Sequence, residues 1–216
     1  MKNDNFTLPL NTKDPRNNYI LVLGNGKQAV DPIVHGKGSG QVMSSHTKPF
    51  LTAVAEAMNL TEPMHSEGPS KVCGAYTNTT PAYPSKCLVY GGNYDWAIPH
   101  KQLDQYYQTA IIFLGSSTSE GWDRKTLGFG THSEEMVKRF GIENKKAGKR
   151  TIVVMTVPGA STTVFRDYVD AIIVQFYPGE MAAQSAIDII LGKANPSGKL
   201  PMTFPLGEND QNFTKS

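Results

Sequence analysis

Short runs of consecutive apolar residues alternate along this chain with segments in which apolar side chains recur every three or four positions. A continuous apolar run bounded by turn residues predicts a strand buried on both faces, as in a parallel sheet. The helical spacing predicts segments that pack one face against such a sheet. The alternation therefore favours an α/β fold with a mostly parallel sheet of about six strands and helices on both faces.

The bounds of the predicted elements follow from the Gly, Pro and Asn residues that interrupt the pattern. Pro49 is expected to open a helix, and the helix after the central strand is expected to be interrupted near Gly141. Residues 200–204 are expected to form an edge strand, because Pro201 has no N–H to donate to a neighbour. The predicted strands are 19–23, 72–77, 87–90, 110–114, 151–157, 171–176 and 200–204, and the predicted helices are 49–58, 99–108, 133–146, 163–168 and 180–191.

Polar composition at both ends predicts the organisation of the 216-residue chain. Residues 1–18 are interpreted as an interdomain linker, residues 19–205 as one domain, and residues 206–216 as a polar tail. A chain of this length can bury a sizeable core. Because the chain begins within the predicted linker and ends within a polar segment, it is interpreted as a fragment of a longer protein.

Residues 110–124 hold the strongest candidate for chemistry. Five apolar residues lead into a Gly/Ser/Thr-rich loop that then presents Glu120, Trp122, Asp123 and Arg124. Ligands of open α/β sheets bind beyond the carboxyl ends of the strands, which is where this loop should lie. The alternative is a plain surface loop in which Glu120 is solvated and Asp123 and Arg124 pair with neighbours.

Charge and motifs exclude several classes of function. The net charge of +2 and the lack of a basic run argue against nucleic acid and against a membrane surface as partners. No apolar run approaches the roughly 18 residues of a membrane span, and Met1 does not begin a signal peptide. The Gly-rich segment 36–40 lacks the spacing of a phosphate-binding loop, so it is interpreted as the rim of a pocket and no nucleotide cofactor is expected.

Cysteines, sequons and histidines bear on the compartment and on metals. Cys73 and Cys87 fit no zinc or redox motif, and in an oxidising compartment they could form a disulfide, with two buried thiols as the alternative. Four N-x-[ST] sequons favour a secreted, lysosomal or vacuolar setting over a cytoplasmic one. The sequons lie at Asn5, Asn59, Asn78 and Asn212, and the histidines, which show no metal-ligand spacing, are His35, His46, His65, His100 and His132.

Five stretches, spread in order along nearly the whole chain, match a known pattern: Lys2 to Leu10, Gly36 to Val42, Ser119 to Arg124, Tyr177 to Glu180 and Asn195 to Pro205. Together they resemble the C-terminal α/β-sandwich domain of family 3 glycoside hydrolases, the β-glucosidase and β-xylosidase group. The segment at residues 195–205 is the most specific of them.

The resemblance implies a flavodoxin-like α/β sandwich and a role in a retaining β-glycosidase. In that family an Asp nucleophile lies on a TIM barrel, and in many members this second domain supplies the acid/base Glu, which would be Glu120 here. Such a carboxyl group must first give a proton to the leaving oxygen and then act as a base toward water. The resemblance implies a carbohydrate substrate. No metal and no other cofactor are expected.

Further site residues follow as expectations. Trp122 is a candidate for stacking on a sugar face, with a packing role as the alternative. Gly38, Ser39 and Gly40 are expected to border the mouth of the pocket. Asp123 and Arg124 are expected to hold the loop.

The chain departs from the family pattern because it contains no barrel and therefore no nucleophile. The isolated chain is thus expected to be inactive, and the face that would dock on the barrel could support a homodimer. Two alternatives remain open, a non-catalytic carbohydrate-binding or interaction module and a flavodoxin-like binder of small molecules.

Overall fold

The computed structural model describes residues 2–60, 87–90 and 107–210, and within residues 87–90 it describes only the side chain of Leu88. Within these residues, six strands form one sheet: β1 (Lys2–Asn3), β2 (Tyr19–Gly24), β3 (Cys87–Tyr90), β4 (Thr109–Gly115), β5 (Arg150–Thr156) and β6 (Ala171–Gln175). Three α-helices accompany them in the described part: α1 (Phe50–Met58), α2 (Thr131–Lys146) and α3 (Ala182–Ile190).

The strand order is β1-β6-β5-β4-β2-β3, and every pairing is parallel except the antiparallel pairing of β1 with β6. Without β1, this is the doubly wound order of flavodoxin-like folds, in which the chain reverses direction across the sheet between β2 and β4. The mostly parallel sheet and the α/β class predicted from the sequence are confirmed. The point of reversal matters for function, because ligands of such folds bind there, outside the carboxyl ends of the strands.

Helices cover both faces of the sheet. On one face, α1 and α3 pack over side chains such as Val22, Phe113 and Val154. On the other face, α2 packs over the alternate side chains of the same strands, including Ile112 and Val153. Central strand β4 is buried along its whole length, which explains why residues 110–114 are continuously apolar.

The predicted edge strand at residues 200–204 is wrong. Lys2–Asn3 occupies the free edge of β6 instead, with Lys2 opposite Ile172. Residues 200–204 run as irregular chain, and the buried Phe204 makes a T-shaped ring contact with Phe176, with the ring centroids 6.2 Å apart. Pro201 and Pro205 have no backbone N–H, so neither can donate the hydrogen bond that pairing with a neighbouring strand requires.

Two helix predictions also need correction. Residues 163–168 form hydrogen-bonded turns and no helix, and α2 continues through Gly141 without interruption. Gly141 is needed for close packing, since a Cβ there would lie 2.5 Å from the Tyr168 carbonyl oxygen. The cost of glycine inside a helix is thereby offset by the close approach of α2 to the turn at Tyr168.

Residues 2–18, which lie in the predicted linker, pack against the domain. Leu8 and Leu10 are buried in the core on the α1 and α3 face. Thr109 Oγ1 and an Arg150 nitrogen both donate to Asn17 Oδ1, at 3.0 and 2.6 Å. The domain boundaries at residues 18 and 206 stay predictions. The predicted strand 72–77 and the part of the predicted helix 99–108 before Tyr107 lie outside the described residues.

Candidate active-site loop

The candidate site is built from the two loops that follow β2 and β4, at the point where the sheet order reverses. Asn25, directly after β2, fixes their bases: its side chain donates to the Gly115 carbonyl oxygen at 2.9 Å and accepts from the Gly115 N–H at 2.7 Å. Farther out, Lys37 pairs with Ser119, and the Lys37 N–H donates to the Thr118 carbonyl oxygen at 3.0 Å. The two loops therefore run together beyond the carboxyl edge of the sheet.

Glu120 lies at the tip of a tight turn. The Trp122 N–H donates to the Ser119 carbonyl oxygen at 3.2 Å, which closes a four-residue turn with Glu120 and Gly121 in the middle. Gly121 has φ +70°, as the third position of a type II turn requires. This turn aims the exposed Glu120 side chain toward the loop that follows β2.

Ser39 holds the Glu120 carboxylate. The Ser39 N–H donates to Glu120 Oε2 at 2.9 Å, and the Ser39 hydroxyl donates to the same oxygen. Gly38 makes this approach possible, because its φ is +101° and a Cβ there would lie 2.6 Å from the Glu120 Cβ. The hydroxyl of Ser39, and then its N–H, hold the pKa of Glu120 below the ordinary value of a Glu.

The other predicted site residues lie on the same two loops. Gly40 has open space around its Cα, and Trp122 is 58% exposed. Arg124 donates to the Leu127 and Ala160 carbonyl oxygens, both at 3.1 Å. In the described part of the chain, no ion pair joins Arg124 to Asp123, and the structural role expected of these two residues stays a prediction.

A second Glu–Ser contact fixes the far end of the loop after β2. The Ser45 N–H and hydroxyl donate to Glu180 Oε1, at 2.7 and 2.8 Å. These bonds, followed by smaller contributions from His46, hold the pKa of Glu180 below its ordinary value. The sequence did not point to this contact, because its partners lie 135 positions apart.

The described surface near Glu120 is open. A cleft of about 630 Å³ lies beside the same loop and is lined in part by Thr118, Arg124 and Glu208, but Glu120 does not contribute to its walls. No group of three or more His, Cys, Asp or Glu among residues 2–60, 87–90 and 107–210 could hold a metal ion. None of the helices described is long and apolar enough to cross a membrane. The proposed Cys73–Cys87 disulfide lies outside the described residues.

Comparison with known protein families now identifies the domain. The model of the glycosyl hydrolase family 3 C-terminal domain matches residues 1–216. The chain belongs to this family. The resemblance inferred from the sequence is thereby confirmed.

Curated relatives of this family 3 domain are β-glucosidases by name. It is 31% identical to Probable beta-glucosidase M of Neosartorya fischeri over 115 residues, which are 51% of this chain and 14% of that protein. It is 34% identical to Probable beta-glucosidase G of Aspergillus flavus over 104 residues, 47% of this chain and 12% of that protein. The chain thus matches only a small part of the length of these relatives.

Solved structures confirm the fold. The domain is similar to beta-glucosidase 3B from Thermotoga neapolitana in complex with alpha-D-glucose, with a TM-score of 0.68 and 22% identity over 96% of this chain and 29% of that one. It is also similar to DesR, a beta-glucosidase from Streptomyces venezuelae in complex with D-glucose, with a TM-score of 0.68 and 18% identity over 97% of this chain and 37% of that one.

The Ser39–Glu120 contact makes a prediction about pH. Ser39→Ala removes the hydroxyl donor and keeps the N–H donor, so the pKa of Glu120 should rise toward its ordinary value without reaching it. A depressed folded-state pKa stabilises the fold above the unfolded-state pKa, and that stabilisation is lost as pH falls through the folded-state pKa. The variant should therefore lose part of this acid-sensitive contribution. An NMR titration of the Glu120 carboxyl carbon measures the shift.

Ser119→Ala is the matched control for that titration. The Ser119 hydroxyl donates to the backbone carbonyl oxygen of Glu120 at 3.3 Å and makes no hydrogen bond with its carboxylate. The control should leave the pKa of Glu120 where it is. An unchanged pKa in Ser39→Ala would show that the hydroxyl does not hold the carboxylate in solution.

Proposed function

We propose that this family 3 domain supplies Glu120 as the general acid/base of a retaining β-glycosidase acting on β-glucosides or related sugars. In this proposal the nucleophilic carboxylate and most of the sugar site lie on a separate TIM-barrel domain. The observation that carries the proposal is the position of Glu120, which is exposed at the tip of a tight turn where the sheet order reverses. The names of the curated relatives support the substrate class.

In the domain alone, the protonation state of Glu120 suits one of its two proposed roles, that of the general base. Ser39 favours the ionised carboxylate, which is the form that acts as a general base toward water. The proton-donating form requires a higher pKa. A second carboxylate about 5 Å away, the separation in retaining glycosidases, would supply it, because two like charges that close disfavour joint ionisation. Docking on the barrel would therefore complete the site and raise the pKa of Glu120.

The open surroundings of Glu120 support a site shared between two domains. Glycosidases enclose the sugar, whereas the Glu120 carboxylate here is exposed and lines no cleft. Trp122 and the apolar side chains of Val42 and Met43, which are 78% and 72% exposed, lie on the same pair of loops. We infer that this loop surface meets the barrel. A homodimer through the same face stays a prediction.

The isolated chain should bind sugar weakly and hydrolyse nothing. Release of 4-nitrophenol from 4-nitrophenyl β-glucoside should be measured for the 216-residue chain and for the longest natural reading frame that contains it. The long protein should be active and the chain alone inactive, since the chain lacks the nucleophile. Turnover by the chain alone would contradict the division of carboxylates between two domains.

The exposed ring of Trp122 favours one second candidate, a non-catalytic carbohydrate-binding module. In that case Trp122→Ala should abolish sugar binding by the isolated chain, and Glu120→Ala should leave every activity of the long protein unchanged. The catalytic proposal expects the opposite result for Glu120.

A secreted or vacuolar location is also proposed. Two sequon asparagines within the described residues, Asn5 and Asn59, are exposed and open to a glycosyltransferase. Mass spectrometry of the natural protein at these two positions checks the proposal, which predicts an attached glycan on at least one of them.

A further inference from the structure

Tyr177, in the turn after β6, contacts both loops that build the candidate site. Its hydroxyl donates to the Ser116 carbonyl oxygen at 3.0 Å and accepts the Thr118 N–H at 3.1 Å. The Tyr177 ring packs against Gly36, where a Cβ would lie 3.3 Å from ring atom Cε2. Gly36 directly precedes Lys37, which pairs with Ser119. One side chain thus braces the stems of the Ser39 loop and of the Glu120 loop.

The backbone of Tyr177 is held in an uncommon conformation. Its φ is +47°, a left-handed value that costs a bulky residue free energy and persists only where the surroundings fix it. The next residues add to the brace, since the Gly179 N–H donates to the Val34 carbonyl oxygen at 3.0 Å and Glu180 binds Ser45. The turn after β6 therefore holds the loop after β2 at its base and at its far end.

Burial of the Tyr177 hydroxyl bears on its two hydrogen bonds. The hydroxyl is partly buried, and burial raises its pKa above the ordinary value, so it stays protonated and able to donate at neutral pH. Within the described residues, the Thr118 N–H donates to this hydroxyl oxygen. Removing the oxygen would leave a donor and an acceptor unpaired two and four positions before Glu120.

We propose that Tyr177 is a positioning residue for Glu120, acting by fixing Ser116 and Thr118 through its hydroxyl and the Ser39 loop through its ring. This inference rests on the proposed function of Glu120. Tyr177 lies 57 positions beyond Glu120 in the sequence, and its hydroxyl bonds to Ser116 and Thr118 rather than to Glu120. Its effect on the reaction therefore passes through the loop backbone. A displacement of about 1 Å at a reacting group can cost about 100-fold in rate.

The test compares Tyr177→Phe with the unmodified long protein on aryl β-glucosides whose leaving groups differ in basicity. Proton donation matters most for poor leaving groups, so kcat/KM for 4-methoxyphenyl β-glucoside should fall about 10- to 100-fold. For 2,4-dinitrophenyl β-glucoside, which leaves without a proton, the fall should be under about threefold. A loss that is equal for both substrates reflects general damage and would overturn the proposal, as would no loss at all.

Tyr168→Phe is the matched control. Tyr168 is also half-buried, but its hydroxyl makes no hydrogen bond among the described residues, and its ring lies under Lys138 on another part of the domain. The control variant should leave kcat/KM unchanged for both substrates. If Tyr177→Phe does not fold, Gly36→Ala replaces it, because the added methyl group crowds the Tyr177 ring and leaves the hydroxyl in place. It should cause the same dependence on leaving group, and a uniform loss there would equally overturn the proposal.

Glu120→Ala, measured beside these variants, separates the two levels of the argument. If Glu120→Ala shows the dependence on leaving group and Tyr177→Phe does not, the inference about Tyr177 fails while the proposed function stands. If Glu120→Ala itself shows no such dependence, the proposed function fails, and the inference that rests on it fails too.

Discussion

Replacing Glu120 with alanine in the longest natural reading frame that contains this chain is expected to lower kcat/KM for poor leaving groups by about 10²- to 10⁴-fold. In the proposed function, the variant lacks the group that protonates the departing oxygen. For 2,4-dinitrophenyl β-glucoside the first step needs no proton, so its kcat/KM should fall far less. Steady-state kinetics on a series of aryl glucosides measures both effects and yields a steeper dependence on leaving-group basicity for the variant.

Glu135→Ala is the control for this series. Glu135 is an exposed carboxylate on helix α2, outside the candidate loop, and its removal should change no rate. A Glu120 variant with the same slope as the unmodified protein would exclude Glu120 as the proton donor, whatever the size of its overall loss.

Phe113→Ala is expected to cost about 3–5 kcal/mol of the free energy of unfolding. Phe113 lies on central strand β4, is fully buried, and stacks on Phe50 of α1 with ring centroids 4.3 Å apart. Truncation would remove this contact and leave a cavity between the sheet and α1. Urea denaturation of the chain measures the loss.

Phe6→Ala is the matched control for the core substitution, because Phe6 is 93% exposed. It should change the free energy of unfolding by less than about 0.5 kcal/mol. A loss below about 1 kcal/mol in Phe113→Ala would mean that the contact between β4 and α1 is not part of the stable core.

The central strands could be predicted from the sequence because their burial leaves a local record. Residues 110–114 are continuously apolar, and the structure buries β4 on both faces. The edge of the sheet left no such record. Lys2–Asn3 is short and polar, and only the free edge of β6 determines that it becomes a strand. The sequence of residues 200–204 is more typical of a strand than Lys2–Asn3 is, yet these residues form no strand and Phe204 packs into the core.

The candidate site divides in the same way. Glu120 could be named from its loop and the family resemblance, and Gly38 and Ser39 from the Gly-rich segment. Their mutual contact spans 81 positions and appears only in the structure. Tyr177 was part of a recognised motif, but nothing in the spacing of residues connects its hydroxyl to Thr118. Contacts between loops of different strands depend on the strand order, which the sequence pattern does not encode.

The most direct test of the central claim is the reaction of the Glu120→Ala long protein with 2,4-dinitrophenyl β-glucoside and sodium azide. With this substrate the first step survives, and the missing base slows attack by water on the glycosyl-enzyme intermediate. Azide needs no base and should fit the space left by the shortened side chain. The account predicts a large rise in kcat and the formation of β-glucosyl azide with retained configuration. An unchanged kcat with glucose as the sole sugar product would contradict the assignment of Glu120 as the acid/base.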